Sequence, residues 1–302
     1  MTPRRNPPGL AVWRRFRRHP MALASGGVLI VLAAASALSP LVAWATGLDS
    51  ASVDLFDRLA LPSWRHPLGT DELGRDELMR LLEGGRVSLV IGIAASLAAA
   101  LLGTAIGLLA GYRGGALDRL LMRFTDSVIA LPLLPLLIVL AAVDLGKLGL
   151  PLAVVQSESA SLYRVVTLAA LVGWTTVARL VRGATLAVKS RDFVRAATAL
   201  GASAPRIVLV HILPNVASPL IVATTLSIGN IILLESVLSF LGLGIQPPMA
   251  SWGAMLTNAQ EMMNDAPLLA LYPGLLIFVT VIAFNFLGDG LQDALDPRAA
   301  EG

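Results

Sequence analysis

The stretch Lys189-Ser-Arg-Asp-Phe193-Val-Arg195-Ala-Ala197-Thr-Ala-Leu200-Gly201-Ala-Ser203-Ala-Pro205-Arg-Ile-Val-Leu-Val-His211-Ile-Leu-Pro214-Asn215 lies between two long apolar runs. Phe193, Ala197 and Leu200 recur at i, i+4 and i+7, which puts them on one stripe of a short helix. Gly201 can take the left-handed conformation that stops such a helix. Ser203 with Pro205 two residues on suits the cap and first turn of a second helix. A helix–turn–helix of this size cannot build its own core and is too charged to cross a bilayer. Its apolar stripe therefore needs an outside surface, either another protein or the lipid headgroups.

The rest of the chain supplies the setting. Of 302 residues, 56% are hydrophobic and 14% charged, against about 25% charged in an ordinary soluble domain. The mean hydropathy is +0.75. That leaves too little polar surface to enclose a water-facing globule. A helix needs ~20 apolar residues to cross the hydrocarbon core, and six stretches qualify: 21–44, 87–112, 120–143, 162–181, 216–241 and 268–287. Their Leu/Ala/Val runs lack period-two alternation, so helices are expected rather than a barrel. The expected fold is an all-α integral membrane protein with six transmembrane helices. No internal repeat is visible.

Charge sets the expected orientation. With both termini in the cytoplasm, 16 of the 23 basic residues fall on the inside, and the three outside loops carry 12 of the 20 acidic ones. The pI of 9.8 then reports topology and not nucleic-acid binding. This divides the chain into a basic cytoplasmic segment (1–20), a first span (21–44), an outside loop with an amphipathic elbow (45–86), a five-helix core (87–290) containing the short cytoplasmic helix at 190–201, and a cytoplasmic tail (291–302). The N-terminal basic residues, apolar run and Ala43-Trp44-Ala45 also resemble a secretory signal. The length of the run and the five spans after it favour a retained helix.

Chemistry-bearing motifs are scarce. The chain has no cysteine, and His19, His66 and His211 are far apart, without metal-site spacing. There is no phosphate-binding loop and no nucleophile elbow. A membrane-embedded enzyme or a self-contained secondary transporter remains the alternative, but the first lacks convergent catalytic groups and the second lacks the repeat.

Arg195-Ala-Ala followed by Gly201 and, after nine intervening residues, His211-Ile-Leu-Pro214 resembles the "EAA" loop of ABC importer permeases. Arg195 stands where that signature has Glu, while Ala196, Ala197, Gly201 and Pro214 match. Three further blocks resemble the dipeptide/oligopeptide/nickel branch: His66-Pro-Leu-Gly-Thr-Asp-Glu-Leu-Gly-Arg-Asp76, the run from Ser239-Phe-Leu-Gly to Ser251-Trp-Gly253, and Phe284-Asn-Phe-Leu-Gly-Asp-Gly-Leu-Gln-Asp-Ala-Leu-Asp-Pro-Arg298. The resemblance implies a type I importer fold and a bacterial inner-membrane location. It also implies that the chain is the second, "C"-type permease, paired with a homologous permease and served by two ATPase subunits and a periplasmic or lipid-anchored solute-binding protein. No cofactor is implied for this chain, since ATP and magnesium would be bound by the ATPase subunits. The coupling residues would be Phe193, Arg195, Ala196, Ala197, Leu200, Gly201 and Pro214.

Other residues carry paired expectations. Gly103, Gly107 and Gly111 share a helical face that allows close backbone approach, either by another helix of this chain or by the partner permease. Glu235, with Ser236 and Ser239, either lines the translocation pathway or makes a helix–helix hydrogen bond. Residues 75–86 read as an elbow on the outer surface, with Asp76 paired to Arg80. Asp126 is expected to pair locally with Arg123, and Arg179 and Arg182 to snorkel to headgroups. Pro132 and Pro135 should kink the third span. Asp289, Asp293 and Asp296 would be solvated or meet an ATPase. Trp252 would be an interfacial anchor or lie near the docked binding protein.

Overall fold

The computed structural model describes residues 8–143, 151, 157, 159–257 and 262–295. Helix α1 (Pro8–Phe16) leads into α2 (Pro20–Ala37), where Pro20 occupies the first turn, a position that needs no amide donor. The expected first span is not one rod. It breaks at Leu38, and α3 (Ser39–Thr46) follows with Pro40 in its own first turn.

Helix α4 runs unbroken from Glu77–Arg113, about 55 Å at 1.5 Å per residue. The elbow expected over 75–86 is therefore not a separate surface helix. It is the opening of α4, with Met79, Leu81 and Arg80 buried. Segment 47–76 folds over it. Asp76 does not pair with Arg80, because it is the N-cap: its Oδ1 accepts from Met79 N at 2.9 Å and its Oδ2 meets His66 Nδ1 at 3.0 Å. A capping carboxylate turns back over the first amides and away from the i+4 face. Arg80 Nε instead lies 3.3 Å from Asp71 Oδ2.

Helix α5 (Gly115–Ala130) and α6 (Leu133–Ala141) meet at 88° and count as one bent span. Leu131 is extended, as a residue before proline prefers. Pro132 thus makes a break sharper than a kink. Pro135 adds nothing, since it sits in the first turn of α6, where the missing N–H is not needed. Then come α7 (Ala160–Lys189), α8 (Asp192–Ala199), the 37-residue α9 (Ala204–Phe240), the short α10 (Trp252–Met255) and α11 (Leu268–Leu295). Among the described residues, five helices (α2, α4, α7, α9 and α11) are long and apolar enough to cross a membrane, and the bent pair makes six.

The bundle is held by close backbone contact. A Cβ on Gly103 would lie 2.6 Å from Trp174 O, one on Gly107 2.6 Å from Ala178 O, and one on Gly111 2.7 Å from Thr185 Cβ. The glycine face therefore seats α7 of the same chain. Leu108, Val177, Val181, Val194, Ile207, Ile212 and Val216 pack together near the α8 end of these helices. Ile30, Leu101 and Phe278 stand 70%, 73% and 60% exposed, which is tolerable only where the surrounding solvent is lipid. Multi-pass insertion follows from that outward apolar surface.

Candidate functional site

Helix α8 is tied down by one residue. Val194 is buried in the cluster with Ile207 and Ile212, and Phe193 touches the His211 ring at 6.5 Å. The helix stops in a Schellman arrangement. Gly201 has φ +82°, its amide donates to Thr198 O at 3.0 Å, and the Ala202 amide donates to Ala197 O at 3.0 Å. Arg195 and Ala196 are exposed and Ala197 is half-buried. Phe193 is 43% exposed and Leu200 88%. The stripe is thus present, with Phe193 covered only in part by His211 and Leu200 left open among the described residues. Pro214 follows a stretch of π-helical turns at Ile207–Ile212, where i→i+5 pairing accommodates a missing amide. Asn215 Nδ2 donates to His211 O at 2.8 Å there.

Lys189, just before α8, donates from Nζ to Tyr112 O at 2.5 Å and lies 5.3 Å over the Tyr112 ring. It ties the end of α7 to the end of α4. Arg182 does not snorkel. Its Nε and Nη2 donate to the two carboxylate oxygens of Asp118 at 2.5 and 2.7 Å. Asp126 faces Arg179 at 3.8 Å, across helices and not within its own. The reason is common to both: α5 lies along α7, so the arginines find carboxylates closer than headgroups. Asp293 pairs with His19 at 2.7 Å, Asp289 is exposed, and Asp296 lies outside the described residues.

At the other end of α9, Glu235 falls in the last two turns and is 1% exposed. Its Oε1 accepts from Ser239 Oγ and Ser251 Oγ, both at 2.6 Å, and its Oε2 from Ser88 Oγ at 3.4 Å. Those hydroxyls in turn accept from Ile245 N (3.2 Å), Ala254 N (2.9 Å) and Trp252 N (3.1 Å). One carboxylate thereby fastens α4, α9 and the segment leading into α10. Ser236 is not part of this set and donates to Ile232 O in its own helix at 2.8 Å. Trp252 is neither an interfacial anchor nor an exposed loop residue. It is 1% exposed, and its Nε1 donates to Leu81 O at 2.9 Å. It lies over Gly85, where a Cβ would come within 2.7 Å of its ring.

A cavity of about 640 Å³ opens between α4, the α5–α6 bend, α7 and α9. Its wall is mostly apolar, from residues such as Leu131, Val172 and Leu234, with Thr175, Thr176, Ser227 and Asn230 as polar points. Ser239 lines a different cavity of about 250 Å³, shared with Asp71, Arg75, Glu77, Arg80 and Gln246. Sequence reasoning had not found Ser88, Ser251, Asp118 or Asn230. Asn230, a lone amide in an apolar run, was the one signal available.

Comparison with known proteins agrees with this layout. Residues 103–301 match the family described as binding-protein-dependent transport system inner membrane component, and residues 8–56 match the N-terminal TM domain of oligopeptide transport permease C. The chain is 42% identical over 290 residues to the glutathione transport system permease protein GsiD of Pectobacterium atrosepticum, covering 95% of this chain and 90% of the relative. The protein of that name from Escherichia coli is 42% identical over 287 residues (95% and 89%). Oligopeptide transport system permease protein OppC of Haemophilus influenzae is 37% identical over 296 residues (96% and 90%). With a helical bundle of five to six spans and two thirds of its length matched by one family model, the chain belongs to the binding-protein-dependent transport system inner membrane components, as an ABC importer permease.

Proposed function

We propose that this permease pairs with a second, homologous permease to form the pathway by which a small peptide, of the size of glutathione or a short oligopeptide, enters the cell. Both termini and α8 face the cytoplasm of a bacterium, and the solute arrives from a periplasmic or lipid-anchored binding protein. Two ATPase subunits bind ATP and magnesium, and α8 docks on one of them through Phe193, Ala197 and Leu200, with Gly201 fixing where the helix stops. Arg195, Ala196 and Pro214 complete the coupling segment. Closure of the ATPase pair on ATP moves α8, the bundle turns outward, and hydrolysis resets it.

The observation that carries this reading is Leu200, 88% exposed at the tip of a helix whose one buried residue is Val194. An apolar side chain held there by a Schellman stop has its energetic use at an interface. The large apolar cavity supports a pathway between α5–α6 and α9, with Asn230 and Ser227 facing the solute. Glu235 and Ser239 serve that pathway by fixing its outer wall, since their polar groups are already engaged.

The test is uptake into proteoliposomes of the assembled transporter with labelled glutathione and a labelled tripeptide. ATP-dependent accumulation that needs the binding protein is expected. Accumulation by this chain without ATPase subunits would contradict the reading and favour a secondary carrier.

A further inference from the structure

Helix α5 is loosely held. Thr125 is its one buried residue, and the helix lies on the outside of the bundle, with Leu120 and Phe124 exposed. It begins at two successive glycines, Gly114 and Gly115, with φ of +68° and +65° and no atom within 4 Å of either prospective Cβ. Two consecutive left-handed residues in open space make a joint that resists rotation weakly. Its other end is the 88° turn into α6. A helix with a joint at each end and little buried surface is the part of this bundle that can swing.

Its attachments to α7 are few. The Phe124 and Trp174 rings stack at 6.0 Å. The Asp126–Arg179 pair is long and both side chains are more than half exposed, so it holds weakly. The Asp118–Arg182 pair is different in kind: bidentate, short, and with Asp118 only 13% exposed. Such a fork fixes direction as well as distance.

Arg182 also sits where motion of α8 must pass. Helix α8 follows α7 after two residues, and α7 is locked to α4 by the glycine face and by Lys189 on Tyr112 O. The α4–α7 pair therefore moves as one body. The joint that yields is at Gly114–Gly115, and the Asp118–Arg182 fork bridges it. Beyond it, Val128, Leu131 and Leu136 line the large cavity.

We infer that Asp118 and Arg182 are positioning residues for transport: a catch that sets the angle of α5 against α7 and passes movement of α8 to the cavity wall. The inference rests on the reading of α8 as the docking helix.

The test measures uptake and ATP hydrolysis together in proteoliposomes of the full transporter. With Asp118→Asn or Arg182→Lys the complex should assemble and hydrolyse ATP, while uptake falls about tenfold, within the usual span of coupling between sites. Arg182→Lys should fail despite keeping the charge, because an ammonium cannot make the fork. The exchanged pair Asp118→Arg with Arg182→Asp should recover part of the uptake. Normal uptake per ATP in Asp118→Asn would overturn the catch. So would equal loss of uptake and hydrolysis with the exchanged pair giving no recovery, which would mark a purely structural bridge. Leu200→Asp, run alongside, separates the two readings. If it sheds the ATPase subunit while Asp118→Asn transports normally, the catch alone is wrong. If it keeps the subunit and full uptake, the docking reading fails and takes the catch with it.

Discussion

Ser251 Oγ donates to Glu235 Oε1 at 2.6 Å, and that bond ties the chain after α9 back to α9. Ser88 on α4 receives the next amide, Trp252 N, at 3.1 Å. Together with Trp252 Nε1 on Leu81 O, the segment between α9 and α10 is fixed by polar contacts in a place where apolar packing could not specify direction.

Glu235→Ala removes the acceptor from three buried hydroxyls at once. At roughly 1–3 kcal/mol per orphaned group, a loss of about 3 kcal/mol is expected. Ser236→Ala should cost under ~1 kcal/mol, since its hydroxyl only returns to its own helix. Thermal unfolding in detergent distinguishes the two.

The α4–α7 contact predicts a sharp positional contrast. Gly107→Val puts a side chain where a Cβ alone would lie 2.6 Å from Ala178 O, a backbone atom that cannot step aside. Overpacking of this kind costs at least ~1–3 kcal/mol, so the yield of monodisperse protein should collapse. Gly27→Ala, with nothing within 4 Å, should leave yield unchanged.

Gly201 has open space around it, so what a side chain meets there is conformational. Gly201→Val forces a β-branched residue to φ +82°, at a cost of about 1–2 kcal/mol, and should displace Leu200. Membrane insertion should survive while ATP hydrolysis separates from uptake. Gly201→Asn, which tolerates the left-handed region, should retain coupled transport.

The His19–Asp293 contact links α2 to α11 at 2.7 Å, but the side chains are 42% and 61% exposed. Exposed pairs are worth ~0–1 kcal/mol. Asp293→Asn should therefore shift the unfolding midpoint by no more than a few degrees, and a larger shift would mean that this contact is a principal fastening.

What could be read from the sequence was local. The glycine face at 103, 107 and 111 and the stop at Gly201 follow from backbone preferences within a few residues, while the kink expected from Pro132 and Pro135 is a full break at Pro132 alone. The elbow over 75–86 was misread because its burial comes from segment 47–76 folding over it, a contact that no periodicity reports. Glu235 stood out as a charge in an apolar run, but its partner Ser88 lies 147 positions away and looks like any other serine. Arg182 was expected to reach the headgroups, and Asp118, 64 positions away, carries no local signal of the pairing. The structure replaces that expectation with a contact between the two side chains.

The central claim is that α8 presents Leu200 to an ATPase subunit. Leu200→Asp tests it most directly, because the side chain is 88% exposed and its replacement leaves the fold of this chain intact. The measurement is ATP-dependent peptide uptake by the reconstituted transporter, with the ATPase content of the purified complex determined in parallel. Loss of the ATPase subunit and of uptake together is expected. A Leu200→Asp complex that keeps its ATPase and transports at the unmodified rate would contradict it.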